Sequence, residues 1–271
     1  MQALSALFDD DLGAPGVGDP LPALWHWVAL ARWSPFGATG GDGHPRPVLL
    51  PEELRGRQRM FAGGRVVLHQ PLHVGERVEV EEEISSLTPK QGRRGSFVLV
   101  ELRTRIIDEA GALALEEVRD LVYRDPSGPV GHERPSGVPN AEQVPAPSAL
   151  LANDADGWSL RTDPVALMRF SSATANGHRI HYDWPYATQV EGYPGLVVHG
   201  PLMTLALAEV ARLERPAFRV AGLEHRNHRP LFCGQSTAIT VDDCADGSLD
   251  LLMSHGSAPV ATLHCTSSEP G

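Results

Sequence analysis

The chain has 271 residues, of which 42% are apolar and 21% are charged, as in an ordinary globular protein. Its formal net charge is −11 at pH 7, and its longest run of like charges is the acidic triplet at residues 81–83. This argues against a nucleic-acid-binding surface, which needs a concentrated basic patch. No segment of the sequence approaches the roughly 20 apolar residues of a membrane span.

The N-terminal residues and the cysteines both indicate a soluble, cytoplasmic protein. The opening stretch, MQALSALFDDDLGAPG, lacks the basic and apolar regions of a secretory signal peptide. Cys233, Cys244 and Cys265 are odd in number and show no C-x-x-C spacing. We therefore expect reduced thiols that fill the core.

The first part of the chain predicts a helical segment followed by strands. At residues 19–33 the apolar side chains lie on one helical face. Residues 65–80 then contain the sequence QPLHVG followed by an alternating strand. Two further strands are predicted at residues 97–106 and 112–124, joined by the turn sequence DEAG.

Residues 126–150 are rich in Pro, Gly and Ser and have no helical or strand period, so we predict a linker. It separates an N-terminal domain, residues 1–125, from a C-terminal domain, residues 151–271. The motif QPLHVG at residues 70–75 matches RPLFCG at residues 229–234, and an alternating strand followed by two more strands comes after it in both halves. An internal duplication is therefore predicted.

The second half contains a helix that is apolar on nearly all sides. Within HGPLMTLALAEVARLER, residues 199–215, the only polar exceptions between positions 202 and 210 are Thr204 and Glu209. A helix of this kind must be surrounded by other structure. We therefore predict a curved antiparallel sheet folded around it, and the repeat predicts two such units in one chain.

The stretch NGHRIHYD, residues 176–183, concentrates polar side chains on a loop just before this helix. His181 is the candidate general base, because imidazole titrates near neutral pH. Asn176 cannot transfer a proton, but its amide can orient a water molecule or a carbonyl group. The second proton-transfer group is then His178 or Asp183, unless His181 performs both transfers in turn.

The start of the helix is a candidate oxyanion site. Gly200 and Pro201 stand at its N-terminus, where free backbone N–H groups and the helix dipole favour negative charge. A histidine-bearing loop facing such a terminus indicates carbonyl chemistry. The alternatives are a structural hydrogen bond for any single histidine, or a metal bound through the H-x-x-H-x-D spacing of His178, His181 and Asp183. The helical i, i+4 geometry of zinc motifs is absent, which speaks against the metal.

The sequence FSSATANGHRIHYD, followed by EGYPGLVVHGPL, resembles the MaoC-like hot-dog-fold hydratases and dehydratases of acyl thioesters. In that family an aspartate precedes x-Asn-Pro-[Ile/Leu]-His, and a His-Gly pair comes later. Here the histidine falls on His181 and the His-Gly pair on His199 and Gly200, whereas Asn176 takes the place of the aspartate. The spacing N-x-H-R-I-H-Y-D instead agrees with a narrower branch, the 3-methylfumaryl-CoA (mesaconyl-C4-CoA) hydratases and the type 2 3-hydroxyacyl-thioester dehydratases.

The resemblance implies a double hot dog of the α+β class, with two antiparallel sheets each wrapped around a central helix. The N-terminal domain would bind the acyl-CoA without catalysing, and the C-terminal domain would be catalytic. His181 would activate water, Asn176 would hold that water, and the Gly200 N–H would bind the thioester carbonyl. The other site residues are His178, Asp183 and His199 as supporting groups, and Arg179, Arg226, Val197 and Tyr182 for substrate binding.

Several of these roles have alternatives. Arg179 or Arg226 would bind a substrate carboxylate, because guanidinium and carboxylate form a two-pronged pair, although Arg226 could equally be a surface cation on a strand. Asp183 would orient a histidine or cap the next turn. Further candidates for lining the site are Tyr182, Trp184 and Tyr186 from the second half, and Arg59, Met60 and Gly63 from the first.

The implied reaction is the reversible hydration or dehydration of an enoyl- or 3-hydroxyacyl-CoA thioester, with a mesaconyl-type acyl group as the best match and no metal or other cofactor. One alternative is a dehydratase acting on carrier-protein-bound 3-hydroxyacyl intermediates. Another is a non-catalytic protein that binds acyl thioesters. The expected partner is the CoA or carrier-protein thioester, and the chain itself is expected to be either a monomer or a homodimer. Nucleic acid and membranes are not expected.

Overall fold

Ten strands form one sheet in which every strand runs antiparallel to its neighbours. The structure is a computed structural model that describes residues 1–9, 12–45, 49–92, 95–125 and 149–267. Most of the predicted linker, residues 126–150, lies outside these ranges.

The first-half strands are β1 (Gln58–Leu68), β2 (Val78–Gly92), β3 (Gly95–Asp108) and β4 (Leu113–Arg124). The second-half strands are β5 (Leu151–Asp154), β6 (Gly157–Leu160), β7 (Val220–Asn227), β8 (Ala238–Asp243), β9 (Leu249–His255) and β10 (Ala258–Ser267). The described α-helices are α1 (Gln2–Phe8), α2 (His26–Ala29), α3 (Pro164–Ala173) and α4 (Gly200–Glu214).

The strand order confirms the predicted duplication. From the centre outwards it is β1-β4-β3-β2 on one side and β7-β10-β9-β8 on the other, with β6 and β5 added beyond β8. The corresponding strands of the two halves therefore follow the same order outwards from the central β1–β7 pair, one half on each side. In this central pair Gly63 lies opposite Arg226. The double hot dog is thus built as two four-stranded units that join edge to edge into one continuous sheet.

The buried helix predicted in the second half is α4. It contacts β7, β9 and β10 of its own half and β1 of the other half. Thr204 and Glu209, its two polar exceptions, are only 1% and 2% exposed. Each has a local partner, because the Thr204 hydroxyl donates to the Gly200 carbonyl (3.3 Å) and the Arg212 Nε donates to the Glu209 carboxylate (2.8 Å). Complete burial of each large apolar side chain on α4 contributes about 1.5–3 kcal/mol to folding.

The first half differs from the prediction, because the helical segment expected at residues 19–33 is reduced to the four residues of α2. Leu24 adopts a left-handed backbone conformation (φ 66°), which a continuous helix does not allow. The segment is held instead through side chains, since the Trp27 indole donates to the buried Glu117 carboxylate of β4 (2.7 Å). The first-half strands β1 to β4 therefore have no counterpart of α4 among the described residues.

Cys265 is buried in the core as predicted, whereas Cys233 and Cys244 are only partly buried, and all three are free thiols. None of the helices in the described ranges has both the length and the apolar character needed to cross a bilayer.

Candidate active site

A cavity of about 980 Å³ is lined by both halves of the chain and contains the main predicted site residues. The lining residues that were predicted are Asn176, His178, His181, Val197 and Gly200 from the second half, and Arg59 and Met60 from the first.

The loop at residues 174–183 begins where α3 ends and presents its side chains through two successive turns. Ala175 takes a left-handed conformation (φ 50°) that redirects the chain. The Asn176 Oδ1 then accepts a hydrogen bond from the His178 N–H (3.0 Å), a local turn for which asparagine is well suited. A 3₁₀ turn at Arg179–His181 follows. The Asn176 amide therefore has its NH₂ group left to donate toward the cavity that it lines.

His181 is fixed in the tautomer that a general base needs. Its Nδ1 lies 2.7 Å from the Val197 carbonyl oxygen. Because a carbonyl oxygen can only accept, Nδ1 must carry the hydrogen, and the lone pair of the neutral ring is on Nε2. His181 is 6% exposed and lines the cavity. A proton acceptor is thus held on the wall of the cavity.

His199 packs against the ring of His181 but does not itself line the cavity. The two rings stack with centroids 3.5 Å apart, and the His199 Nε2 is 2.8 Å from the Ser171 hydroxyl. Burial, with the neighbouring histidines His199 and His178, holds the pKa of His181 well below its ordinary 6.5. Burial likewise lowers the pKa of His199 to about 3. Both rings are therefore neutral at physiological pH, the state in which His181 accepts a proton.

Gly200 is the first residue of α4, and its backbone N–H has no acceptor within the helix. The described residues supply none from elsewhere either. A Cβ at this position would lie 2.8 Å from the Asn227 Nδ2 and 2.9 Å from the Phe61 Cδ1. The side chains of Phe61 and Asn227 thus lie close against the helix start and leave little room for a larger residue at Gly200. The free amide lines the same cavity as His181, where it can donate to an oxyanion.

A second histidine cluster on the cavity was not predicted. The His44 and His178 rings are 4.2 Å apart, and both line the cavity. His44 Nδ1 is 3.4 Å from the Asp42 carboxylate, and His178 Nε2 is 3.8 Å from that of Glu191. Burial lowers the pKa of His44 to about 4, against the opposing effect of Asp42. A carboxylate therefore lies beside each of these two histidines.

The first-half loop that carries His44 packs directly on the loop at residues 174–183. The Arg179 N–H donates to the Asp42 carbonyl (2.8 Å). Gly43 has a left-handed conformation (φ 88°), and a Cβ there would be 1.9 Å from the Gly177 carbonyl oxygen. Only glycine allows this contact. A glycine-rich turn, GGDGHP, is the one feature of the sequence that marks the loop, and nothing in it specifies a site.

The same cluster has the side chains to hold a cation. One potential ligand atom from each of Asp42, His44 and His178 lies within 4.8 Å of the others, and the described residues contain no other such group of three. Two imidazoles and a carboxylate would suit a transition metal such as zinc or iron. The alternative set with H-x-x-H-x-D spacing is not brought together, because Asp183 pairs with a neighbouring arginine instead.

Four of the predicted residues bond outside the cavity, three of them to one another. The Arg179 guanidinium donates to the Asp183 carboxylate (2.9 Å from Nε) and stacks over the Tyr186 ring at 4.3 Å. Asp183 also accepts from the Tyr186 N–H (3.1 Å), so it caps the next turn and does not orient a histidine. The Tyr182 hydroxyl donates to the Gly177 carbonyl (3.0 Å), and the ring is half exposed. None of these side chains lines the cavity.

Arg226 and Gly63 lie in the central strand pair. Arg226 is exposed, because it alternates with the buried His225 along β7 and points away from α4. A Cβ at Gly63 would meet the His225 carbonyl oxygen at 2.4 Å, so this glycine serves the β1–β7 contact. Neither residue lines the cavity. The two arginines predicted to bind a substrate carboxylate, Arg179 and Arg226, are therefore both placed elsewhere.

We expect the free energy of unfolding to fall between pH 7.5 and 5.5. Burial lowers the pKa of His181 and His199, and it lowers the pKa of His225 to about 4. In the unfolded chain these groups bind protons below about pH 6.5, and the folded state resists that protonation, so stability is lost as the pH falls. The expected loss is about 1 kcal/mol per histidine, or about 4 kcal/mol in total once His44, whose pKa burial also lowers to about 4, is included. Urea unfolding at the two pH values measures it, and an unchanged free energy would contradict neutral burial.

Comparisons with known proteins find a matching family model and several related sequences. The family model described as hydroxyacyl-thioester dehydratase type 2 matches residues 24–233. The mesaconyl-C(4)-CoA hydratase of Chloroflexus aurantiacus is 39% identical over 232 residues, which cover 85% of this chain and 78% of that protein. The mitochondrial hydroxyacyl-thioester dehydratase type 2 of Schizosaccharomyces pombe is 24% identical, over 83% of this chain and 79% of that protein.

Two solved structures from Mycobacterium tuberculosis show the same fold. HtdX superposes with a TM-score of 0.65 at 18% identity, covering 98% of this chain and 93% of the other. A second protein, described as having a double hotdog fold, superposes with a TM-score of 0.51 at 17% identity, covering 98% and 84%. The predicted double hot dog is thereby confirmed.

Proposed function

The chain belongs to the hydroxyacyl-thioester dehydratase type 2 family, and on this premise we propose that it reversibly adds water to the double bond of an enoyl-CoA thioester with a mesaconyl-type acyl group. It is therefore a hydro-lyase. The choice of acyl group is supported by the 39% identity to a protein named mesaconyl-C(4)-CoA hydratase, against 24% to the fungal dehydratase.

The observation that carries the mechanism is the joint placement of the His181 Nε2 lone pair and the free Gly200 amide on one cavity. The thioester carbonyl oxygen would accept a hydrogen bond from the Gly200 N–H. This stabilises the enolate that forms when hydroxide adds to the β-carbon. Such a donor typically contributes roughly 3–4 kcal/mol in the transition state.

His181 would handle both proton transfers. Its Nε2 takes a proton from water as the water oxygen bonds to the β-carbon, and the resulting imidazolium returns that proton to the α-carbon. The net change is the addition of one water molecule, and the reverse sequence dehydrates a 3-hydroxyacyl thioester. Asn176 would hold the attacking water through its NH₂ group, since its Oδ1 is already bonded to the His178 N–H.

We also propose a division of roles between the halves. The C-terminal half would provide His181, Asn176 and Gly200, while the N-terminal half would form the opposite wall of the cavity and bind the acyl-CoA. Cytoplasmic location and assembly into a homodimer are further proposals that rest on the sequence.

The direct test is the loss of the enoyl-thioester absorbance when the protein is mixed with mesaconyl-C4-CoA. We expect rapid loss and the appearance of a 3-hydroxyacyl product. Preference for an enoyl group on a carrier protein would instead favour the dehydratase of fatty-acid or polyketide intermediates. Tight binding of these thioesters with no turnover of any would favour a non-catalytic binding protein, and would overturn the proposed reaction.

A further inference from the structure

The cavity contains an arginine whose charge has no ionic partner among the described residues. Arg59 of β1 lines the cavity, yet no described side chain forms a hydrogen bond or an ion pair with its guanidinium. The neighbouring cavity arginines are occupied, because Arg119 is paired with Glu82 and the Arg124 Nε donates to Gln58 (3.1 Å). Two other lining arginines, Arg32 and Arg229, are exposed to solvent. Arg59 is thus the lining arginine that is both partly shielded and unpaired.

The strand geometry places Arg59 on the same side as the proposed oxyanion site. Residues two apart on a strand face the same way, and the bulge in β1 comes only after Phe61. Arg59 and Phe61 therefore share a face. Phe61 touches the start of α4, where its Cδ1 would be 2.9 Å from a Cβ on Gly200. The spacing from Phe61 back to Arg59 is about 7 Å along the strand, a distance within reach of a short acyl chain.

The electrostatic surroundings leave this cation available to a ligand. Burial lowers the pKa of Arg59, with Arg119 acting in the same direction and Asp42 and Glu82 opposing it. A guanidinium nonetheless stays protonated in proteins. The Asp42 carboxylate accepts a hydrogen bond from the backbone N–H of His44 (3.1 Å), and Glu82 is paired with Arg119. A partly buried cation without a bonded anion is unfavourable, so a carboxylate arriving in the cavity would be attracted to it.

We propose that Arg59 binds the free carboxylate of a dicarboxylic acyl thioester and so selects such substrates over monocarboxylic ones. The inference rests on the proposed hydratase function and deepens it. With the thioester carbonyl at Gly200, the far end of a four-carbon acyl group points along β1 toward Arg59. Guanidinium and carboxylate then form a two-pronged, charge-assisted pair.

The test compares two substrates that differ in the carboxylate, mesaconyl-C4-CoA and crotonyl-CoA. For Arg59→Met we expect kcat/KM with mesaconyl-C4-CoA to fall by about 100-fold, chiefly through KM, because a buried charge pair loses one member. The fall with crotonyl-CoA should be at most a few-fold, so the ratio of the two values inverts. Arg59→Lys keeps the positive charge but cannot form the two-pronged pair with a carboxylate. It should recover part of the preference for mesaconyl-C4-CoA over crotonyl-CoA. Arg65→Met, at an exposed position of the same strand that does not line the cavity, is the matched control and should leave both values unchanged.

Three outcomes overturn the subsite. The first is an Arg59→Met protein with unchanged kcat/KM on both substrates, and the second is a fall by the same factor on both. The third is a wild-type protein that hydrates crotonyl-CoA but not mesaconyl-C4-CoA. Failure of the wild-type protein to hydrate any enoyl-CoA is a different result, since it rejects the proposed function itself. Thermal unfolding of each variant shows whether a lost activity reflects a lost fold, and Arg59→Lys provides the answer if the methionine variant does not fold.

Discussion

Replacement of His181 by asparagine should lower kcat for enoyl-thioester hydration by about 10²–10⁴-fold, the usual contribution of a general base. Asparagine can still donate its amide N–H to the Val197 carbonyl, as the His181 Nδ1 does, but it has no lone pair in place of Nε2. The variant therefore removes the base while keeping the hydrogen bond that holds the loop. Steady-state kinetics with mesaconyl-C4-CoA, together with binding of the substrate, measures the effect.

The matched control is His264→Asn. This histidine lies on β10, its side chain is 42% exposed, and it bonds to Asp250 away from the cavity. Its replacement should leave kcat within twofold. If the His181 variant kept full activity while folding normally, then His181 would not be the base and the mechanism would have to be assigned to another group of the cavity.

Gly200→Ala should reduce kcat by about 100-fold or more, the effect of losing one oxyanion donor. The added methyl group would lie 2.8 Å from the Asn227 Nδ2 and 2.9 Å from the Phe61 Cδ1, closer than side chains tolerate. Either these two side chains or the start of α4 must then shift, and a shift of the helix start displaces the backbone N–H. Because the strain also affects the folded state, the free energy of unfolding should fall by about 1–3 kcal/mol.

Gly37→Ala is the control for this substitution, because a Cβ at Gly37 meets no atom within 4 Å. It should change neither kcat nor stability by a measurable amount. A Gly200→Ala protein with unchanged kcat would show that the amide at the helix start does not bind the reacting carbonyl. A fall in stability with unchanged kcat would assign Gly200 a packing role only.

The features predicted correctly from the sequence are those that depend on patterns among residues close together in the chain. Alternating residues predicted β3, β4, β9 and β10, and the all-apolar stretch predicted α4 with Thr204 and Glu209 inside it. The repeated QPL and RPL motifs predicted the duplication that the strand order confirms. The wrong helix at residues 19–33 has a tertiary cause. Trp27 bonds to Glu117, 90 positions away, and that contact replaces the helical packing that the apolar period suggested.

At the candidate site, residues close together in the sequence were predicted, and residues joined only by the fold were not. NGHRIHYD identifies His181 and Asn176, but it does not show that Arg179 and Asp183 pair with each other. His44 reaches the cavity through a first-half loop, and its position depends on the contact between Gly43 and Gly177. Local patterns hold no information about that contact.

The pairing of β1 with β7 inside one chain has a consequence for how specificity can change. If two identical subunits formed such a sheet, every substitution would occur on both sides of a twofold axis. Here a substitution in β1 occurs once, opposite an unaltered β7. Arg59 can therefore be exchanged through a single codon while His181 and Gly200, encoded in the other half, stay as they are. Because the two halves of the chain have different sequences, recognition of the acyl end can evolve independently of the proton transfer.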